Sequence, residues 1–447
     1  MKFDLTKDLR RIHTLWDNFQ FYHEKTSDYR FLYLCGPKGS GKTKAAQAYV
    51  HAHDYAFYFS FGDLPYKEAI REFANVYYSE TETPSSITEA IERFIFLRKK
   101  QPTLVFLEDE RTRAMEECKS ALLTSANSAR NMLPCILCTG SESAGSENEI
   151  QLNYLSVAAF SKYFSSYSRR DIMRLHALTG GIQAVAKELD ADAGYEENVR
   201  RLLRYDSAFS ACLPAWLREA FRNPESYYPI LNAIAAGRHR LSEIARQIGF
   251  PNNKCGTYLD ALIRHNFVRA EKLLGAKQAT YHLTSSYISA WCRYAYGKKM
   301  LNIQHPERYE TYVSEDIDEA LTLPAFHSAC MRFITESWRE YLSDFSFPTQ
   351  DMVERNVKIK LKDKSEVALD YCVRKGGKTL ICIFADRLDM RFTKADVERI
   401  YEAIEIFTPL YDSQLVLFSL ERFSDWSVHE ASIRDYLHEV TIERLRF

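Results

Sequence analysis

The chain has 447 residues, 46% hydrophobic and 27% charged, with 59 Lys and Arg against 60 Asp and Glu. Such a length exceeds one ordinary core and predicts about two to four domains, and the composition is that of a soluble globular protein rather than a disordered, collagenous or membrane-spanning one. A charged first segment is no secretory leader, no apolar run approaches a membrane span, and the ten cysteines are scattered, so a reduced, cytoplasmic protein without a membrane partner is expected. Cys135 and Cys138, three apart on a predicted strand, point to opposite faces and suit neither a disulfide nor a metal.

Residues 31–35 are apolar and β-prone, 44–50 are Ala-rich and helix-prone, and between them 36–43 reads Gly-Pro-Lys-Gly-Ser-Gly-Lys-Thr. Glycine, four residues, then Gly-Lys-Thr is the spacing of a phosphate-binding loop, and strand, loop, helix is the context it needs. The glycines let backbone N–H groups converge on phosphate oxygens at the positive end of a helix. Gly36, Pro37, Lys38, Gly39, Ser40 and Gly41 are therefore expected to line the phosphates of ATP. Lys42 is expected to reach the β- and γ-phosphates and Thr43 to hold Mg²⁺.

A second strand is predicted over 56–61, and helices over 66–78 and 87–98; in the first helix Ala69, Ile70, Phe73 and Val76 recur every three or four residues. The stretch 103–110 is an apolar strand running into Glu108, Asp109 and Glu110. An acid at the C-terminal edge of such a strand stands beside the phosphate loop, where one carboxylate serves the metal and its neighbour polarises the attacking water. Two registers are open. Glu108 with Asp109 gives an inverted order of metal and catalytic acid; Asp109 with Glu110 leaves Glu108 inside a buried strand, which is costly for an unpaired charge and disfavours that register. A further strand over 134–138 runs into Thr139, Gly140 and Ser141, and Thr139 or Ser141 is a candidate sensor of the γ-phosphate.

The loop 36–43, the strand 104–107 with its acids, Leu137-Cys138-Thr139-Gly140-Ser141, and Leu178-Thr179-Gly180-Gly181-Ile182 after Leu155-Ser156 and a helix together resemble a known group. They are similar to the archaeal- and bacterial-type P-loop ATPases related to AAA+ and STAND proteins (the archaeal DEXX-box ATPases). The resemblance implies an ATPase core with a helical lid, a winged helix and a nuclease-like C-terminal domain. This chain departs from the family where Pro37-Lys38-Gly39-Ser40 replaces an arginine-rich loop, where Gln183 replaces a proline, and where the segment 141–155 lacks an arginine. Those departures bear on the trigger for hydrolysis more than on nucleotide binding. Arg111, Arg113, Arg169 and Arg170 are candidates for an arginine that completes the site, in this chain or from an oligomeric neighbour.

Residues 226–300 hold eleven Lys/Arg against three Asp/Glu, a net near +8 that leaves the remainder near −9. Within them, helices over 228–236, 241–249 and 253–265 precede two β-like segments, 267–271 and 280–284, the pattern of a winged helix-turn-helix. Lys254, Arg264 and His265 fall on or beside the third helix, and Arg269 and Lys277 in the wing. Contact with double-stranded DNA, third helix in the major groove and wing on phosphates, is one expectation; a lid or a protein interface is the other.

From about residue 306 a helical stretch over 317–341, interrupted at Pro324, leads to strands over 357–361, 366–373 and 378–384, a helix over 393–406 and a strand over 414–419. This order resembles a restriction-endonuclease-like fold. Asp370 stands where such nucleases place a metal-binding Asp, but 380–384 offers no Glu-x-Lys, so the domain is expected to lack nuclease activity. The fold class is thus α/β: a P-loop NTPase parallel sheet with helical lid over 1–205, a winged helix-turn-helix over 206–300, and a restriction-endonuclease-like α/β domain over 301–447. The expected function is an ATPase converting ATP to ADP and phosphate, a nucleotide-dependent switch over DNA or protein-partner binding. A DNA-binding or scaffold protein with vestigial ATPase is the alternative.

Overall fold

The computed structural model describes residues 6–22, 31–61, 64–77, 83–98, 103–108, 135–140, 149–272, 278–336, 353–375, 378–408, 413–421, 423 and 437–440. They fall into two compact units, Lys2–Tyr154 and Leu155–Phe447. The sequence predicts a first domain that runs on to residue 205. In the structure the helices from residue 157 onward group with the later part of the chain: Arg174 Nε donates to Asp318 Oδ1 at 2.7 Å, and a Cβ at Gly180 would stand 2.3 Å from Ser285 Oγ.

In the first unit, α1 (Thr6–Tyr22), β1 (Phe31–Cys35), α2 (Lys42–Ala52), β2 (Ala56–Ser60), α3 (Tyr66–Tyr77), α4 (Ile87–Leu97), β3 (Leu104–Glu108), β4 (Cys135–Gly140) and β5 (Glu149–Gln151) come in turn. The five strands form one parallel sheet in the order β2-β3-β4-β1-β5. Side chains alternate across it. On β3, Leu104 and Phe106 join a core with Ile12 and Trp16 of α1 and Ala45, Ala46 and Tyr49 of α2. Val105 and Leu107 face the opposite way, toward Ile70 and Phe73 of α3 and Ile91 and Phe94 of α4. Covered on both faces, the strands read as unbroken apolar runs. Fully buried Ala45 and Ala46 let α2 lie close on the sheet.

The second unit opens with α5 (Val157–Tyr163), α6 (Arg169–Thr179), α7 (Gln183–Ala186), α8 (Tyr195–Leu203) and α9 (Ala208–Ala220). Then come α10 (Tyr228–Ala235), α11 (Leu241–Ile248), α12 (Asn252–Arg264) and an antiparallel pair, β6 (Val268–Glu271) and β7 (Thr280–Leu283). Helix α13 (Ser286–Tyr294) packs on α10 and α6, and α14 (Lys299–Gln304) and α15 (Pro306–Ile317) come next. A π-helical turn, Asp318–Thr322, joins α15 to α16 (Leu323–Glu336). Pro324 therefore does not break the helix as the sequence suggests: Leu323 N–H donates five residues back to Asp318 O, and the proline sits where a new helix starts and needs no donor.

The last part is a five-stranded sheet, β12-β11-β10-β9-β8, made of β8 (Val353–Lys360), β9 (Glu366–Lys375), β10 (Lys378–Phe384), β11 (Ser413–Phe418) and β12 (Leu437–Val440), with α17 (Lys394–Phe407) between β10 and β11. Pairs β8–β9 and β9–β10 are antiparallel; β10–β11 and β11–β12 are parallel. An ion pair between Arg355 of β8 and Glu271 of β6 ties this sheet to the preceding hairpin. Among the described residues no helix is long and apolar enough to cross a membrane.

Candidate phosphate-binding site

The sheet order leaves β1 and β3 on either side of β4, with the C-terminal ends of all three at one edge. In register, Glu108 lies beside Thr139, and Thr139 beside Leu34 at the end of β1. At this edge the chain leaves β1 through the Gly-rich loop and enters α2.

Three glycines shape that loop, with φ of 155° at Gly36, 82° at Gly39 and 96° at Gly41. Gly36 is required twice over. A Cβ there would stand 2.3 Å from Leu152 O and 2.9 Å from Ser40 Oγ. Gly41 caps α2 in a left-handed conformation, with no side-chain cap and no acid in the first turn. No side chain of the cap residue covers the start of the helix, at the positive end of its dipole, where an anion is favoured. Ser40 Oγ is buried with no hydrogen-bond partner among the described residues. Tyr154 OH donates to Lys38 O at 3.1 Å and steadies the outer loop.

Lys42 curls over its own loop, Nζ donating to Gly36 O at 2.6 Å and to Pro37 O at 3.2 Å. Thr43 Oγ1 donates to Glu108 Oε1 at 2.6 Å. That bond joins the two motifs read from sequence 65 positions apart. Glu108 reaches Thr43 because it continues the Leu104, Phe106 alternation and so faces the α2 side of the sheet.

The residues suit the groups that the loop implies. Uncapped backbone donors and a cradle that admits only glycine fit a polyphosphate, and a hydroxyl beside a carboxylate offers the hard oxygens that Mg²⁺ prefers. Bound Mg²⁺ would neutralise charge developing between the β- and γ-phosphates. The chain itself would supply orientation: the helix N-terminus and Lys42 on the phosphates, Thr43 and Glu108 on the metal.

Tyr58, which sequence reasoning misses, also belongs to the site. Its phenol donates to Glu108 Oε2. Burial, and then the carboxylate beside it, push its ionisation well above the ordinary tyrosine range. Only the β2–β3 pairing, with Ser60 opposite Glu108 and Tyr58 two residues earlier on the same face, reveals this partner. Its position in a short β-prone run gives no such signal.

Of the other expected residues, Asp109, Ser141, Lys277, Arg111 and Arg113 lie outside the described residues. Thr139 is placed by its backbone next to Glu108. Arg170 is engaged in the second unit, where its Nε donates to Asp318 Oδ2 at 3.0 Å beside Arg174; Arg169 begins the same helix. Lys254, Arg264 and Arg269 are exposed on α12 and β6, with Lys254 Nζ 4.2 Å over the Phe250 ring. Asp370 Oδ2 accepts from Phe384 N–H at 2.7 Å, and burial raises its carboxyl above the usual range. The neighbouring strand contributes buried Leu380, Ile381, Cys382, Ile383 and Phe384. Among the described residues no group of three or more His, Cys, Asp or Glu is placed to hold a metal.

No family model matches the chain. An uncharacterized protein of Methanocaldococcus jannaschii is 21% identical over 290 residues, 61% of this chain and 65% of its own length, so the chain spans just under two thirds of that relative. Among solved structures, the chain is similar to the Aeropyrum pernix Orc1 protein in complex with DNA, with 12% identity over 69% of this chain and 94% of that one and a TM-score of 0.34. It is also similar to the Thermotoga maritima RuvB Holliday junction branch migration motor, with 13% identity, 60% and 89% coverage and a TM-score of 0.30. A STAND protein with a tetratricopeptide repeat sensor from Pyrococcus horikoshii gives 12%, 70% and 49%, and 0.27. All three are remote likenesses.

Proposed function

We propose that this chain is an ATP-binding P-loop ATPase that acts as a nucleotide-dependent switch over the binding of DNA or a protein partner. The observation that carries the reading is the 2.6 Å bond between Thr43 Oγ1 and Glu108 Oε1, at the mouth of a glycine loop whose helix N-terminus is uncapped. It brings together a metal-side hydroxyl and a carboxylate at the place where a polyphosphate would be held. In this reading Glu108 serves Mg²⁺ and Asp109 polarises the attacking water.

The output belongs to the second unit. Three helices followed by a two-stranded hairpin, α10 to β7, support a winged helix-turn-helix with Lys254, Arg264, Arg269 and Lys277 toward DNA phosphates or bases. The C-terminal sheet, helix and strand order support a restriction-endonuclease-like domain without nuclease activity. Its one acid in the expected place, Asp370, is engaged by a backbone amide, and the adjoining strand is apolar. Purified chain with Mg²⁺ or Mn²⁺ is expected to leave duplex DNA intact. Cleavage lost on Asp370→Ala would overturn that assignment.

A second reading is a DNA-binding or scaffold protein with slow or vestigial hydrolysis. The short Asp109 in the catalytic place and the two protein donors already on Glu108 favour it. ATP binding measured beside single-turnover hydrolysis separates the two: a switch shows both, a scaffold binds without turnover.

A further inference from the structure

Glu108 is held by two donors of different kinds. Thr43 of α2 takes one oxygen and Tyr58 of β2 the other. A threonine hydroxyl is itself a hard oxygen ligand, and it turns its proton away from the metal side when it ligates. A phenol that donates to a carboxylate has no such second role. Tyr58 is also fixed from behind: its carbonyl accepts from the Tyr77 phenol of α3, and Tyr77 packs edge-on to Phe57 and against Phe73 and Phe94. Helix α3 thus sets the strand, the strand sets the phenol, and the phenol sets the carboxylate.

Resting on the nucleotide reading above, we infer that Tyr58 is a positioning residue for the metal site: it engages Glu108 Oε2 and so keeps Oε1 directed at Thr43 and the Mg²⁺ position.

The test uses the full chain and a thermal melt as readout, with MgCl₂ titrated at saturating ATP and a parallel melt with ATP in EDTA. Tyr58→Phe, which removes one oxygen, is expected to raise the Mg²⁺ midpoint about tenfold while leaving the metal-free ATP shift unchanged. Tyr167→Phe removes a phenol that donates to Ala193 O in the second unit, touches neither Tyr58 nor Glu108, and should leave the midpoint near wild type. In a Glu108→Gln background the phenol should make no further difference to the midpoint. A repeated tenfold shift there would mean that Tyr58 acts through packing, and the inference would fail. A Tyr58→Phe midpoint equal to wild type overturns the positioning role and leaves the nucleotide reading standing. A wild-type chain that shows no ATP- or Mg²⁺-dependent shift overturns the nucleotide reading and this inference with it.

Discussion

Gly36→Ala is the sharpest probe of the loop. The backbone there sits at φ +155°, and an added Cβ would meet Leu152 O at 2.3 Å. Leu152 has nowhere to go: its N–H donates to Cys35 O at 2.7 Å, and its side chain is 4% exposed in the core between α1, α2 and the sheet. The unfavourable backbone region costs about 1–3 kcal/mol and the forced contact a similar amount, together about 4 kcal/mol. Hydrogen exchange of peptides from β1 and α2 reads this locally, and the expected loss of protection is about a thousandfold. The comparison is Gly249→Ala, where φ is +72° and nothing lies within 4 Å of the new Cβ. That variant should lose only about 1 kcal/mol, seen in peptides of α11 and α12. Equal, small losses at both sites would refute the close approach of Leu152 to the loop.

The second unit supplies further expected outcomes. Burial lowers the pKa of His176 to about 4 and that of His282 to about 4, while unfolded histidine titrates near 6.5. Between pH 6.5 and 4 the unfolded chain therefore takes up protons that the fold refuses. Stability is whole above pH 6.5 and falls as pH drops, by at most about 1.4 kcal/mol per pH unit for each histidine. His176→Gln, which keeps a donor for Leu155 O without titrating, should flatten about half of that slope in urea melts from pH 7 to 4; an unchanged slope would contradict it. Asp318→Asn removes the charge that Arg174 grips at 2.7 Å through both Nε and Nη2 and should cost about 3 kcal/mol in the same melts. Arg264→Ala and Arg269→Ala are each expected to weaken duplex DNA binding and to reduce its salt slope by about one; affinity and slope unchanged in both would argue for a protein partner.

Much of the candidate site was legible because the pattern that marks it is local. A loop that must bend three times and meet anions needs glycines at fixed spacing, and a buried parallel strand that ends in acids is conspicuous. Tyr58 was hidden because its role depends on which strand lies beside β3, a non-local fact. Helix α1 carries Ile12 and Trp16 at helical spacing, yet its place against α2 and Tyr55 is set by tertiary packing alone. Strand β5 has three residues, too few for a period of two to register. Pro324 reads as a break because a regular α-helix cannot hold it, and only the π-turn before it removes the conflict. The grouping of residues 155–205 with the later helices shows at Gly180, whose Cβ would lie 2.3 Å from Ser285 Oγ, and at Arg174, which grips Asp318; contacts of that kind leave no trace in composition or periodicity.

The central claim is that this loop binds ATP and that its hydrolysis or occupancy controls an output. The most direct test measures ATP and ADP binding together with steady-state hydrolysis, with and without duplex DNA, on wild type and Lys42→Ala. Wild type is expected to bind ATP and Lys42→Ala to lose that binding, with turnover or DNA affinity of the wild type that responds to nucleotide. Nucleotide binding that survives Lys42→Ala, or a wild type that binds neither nucleotide, would contradict it.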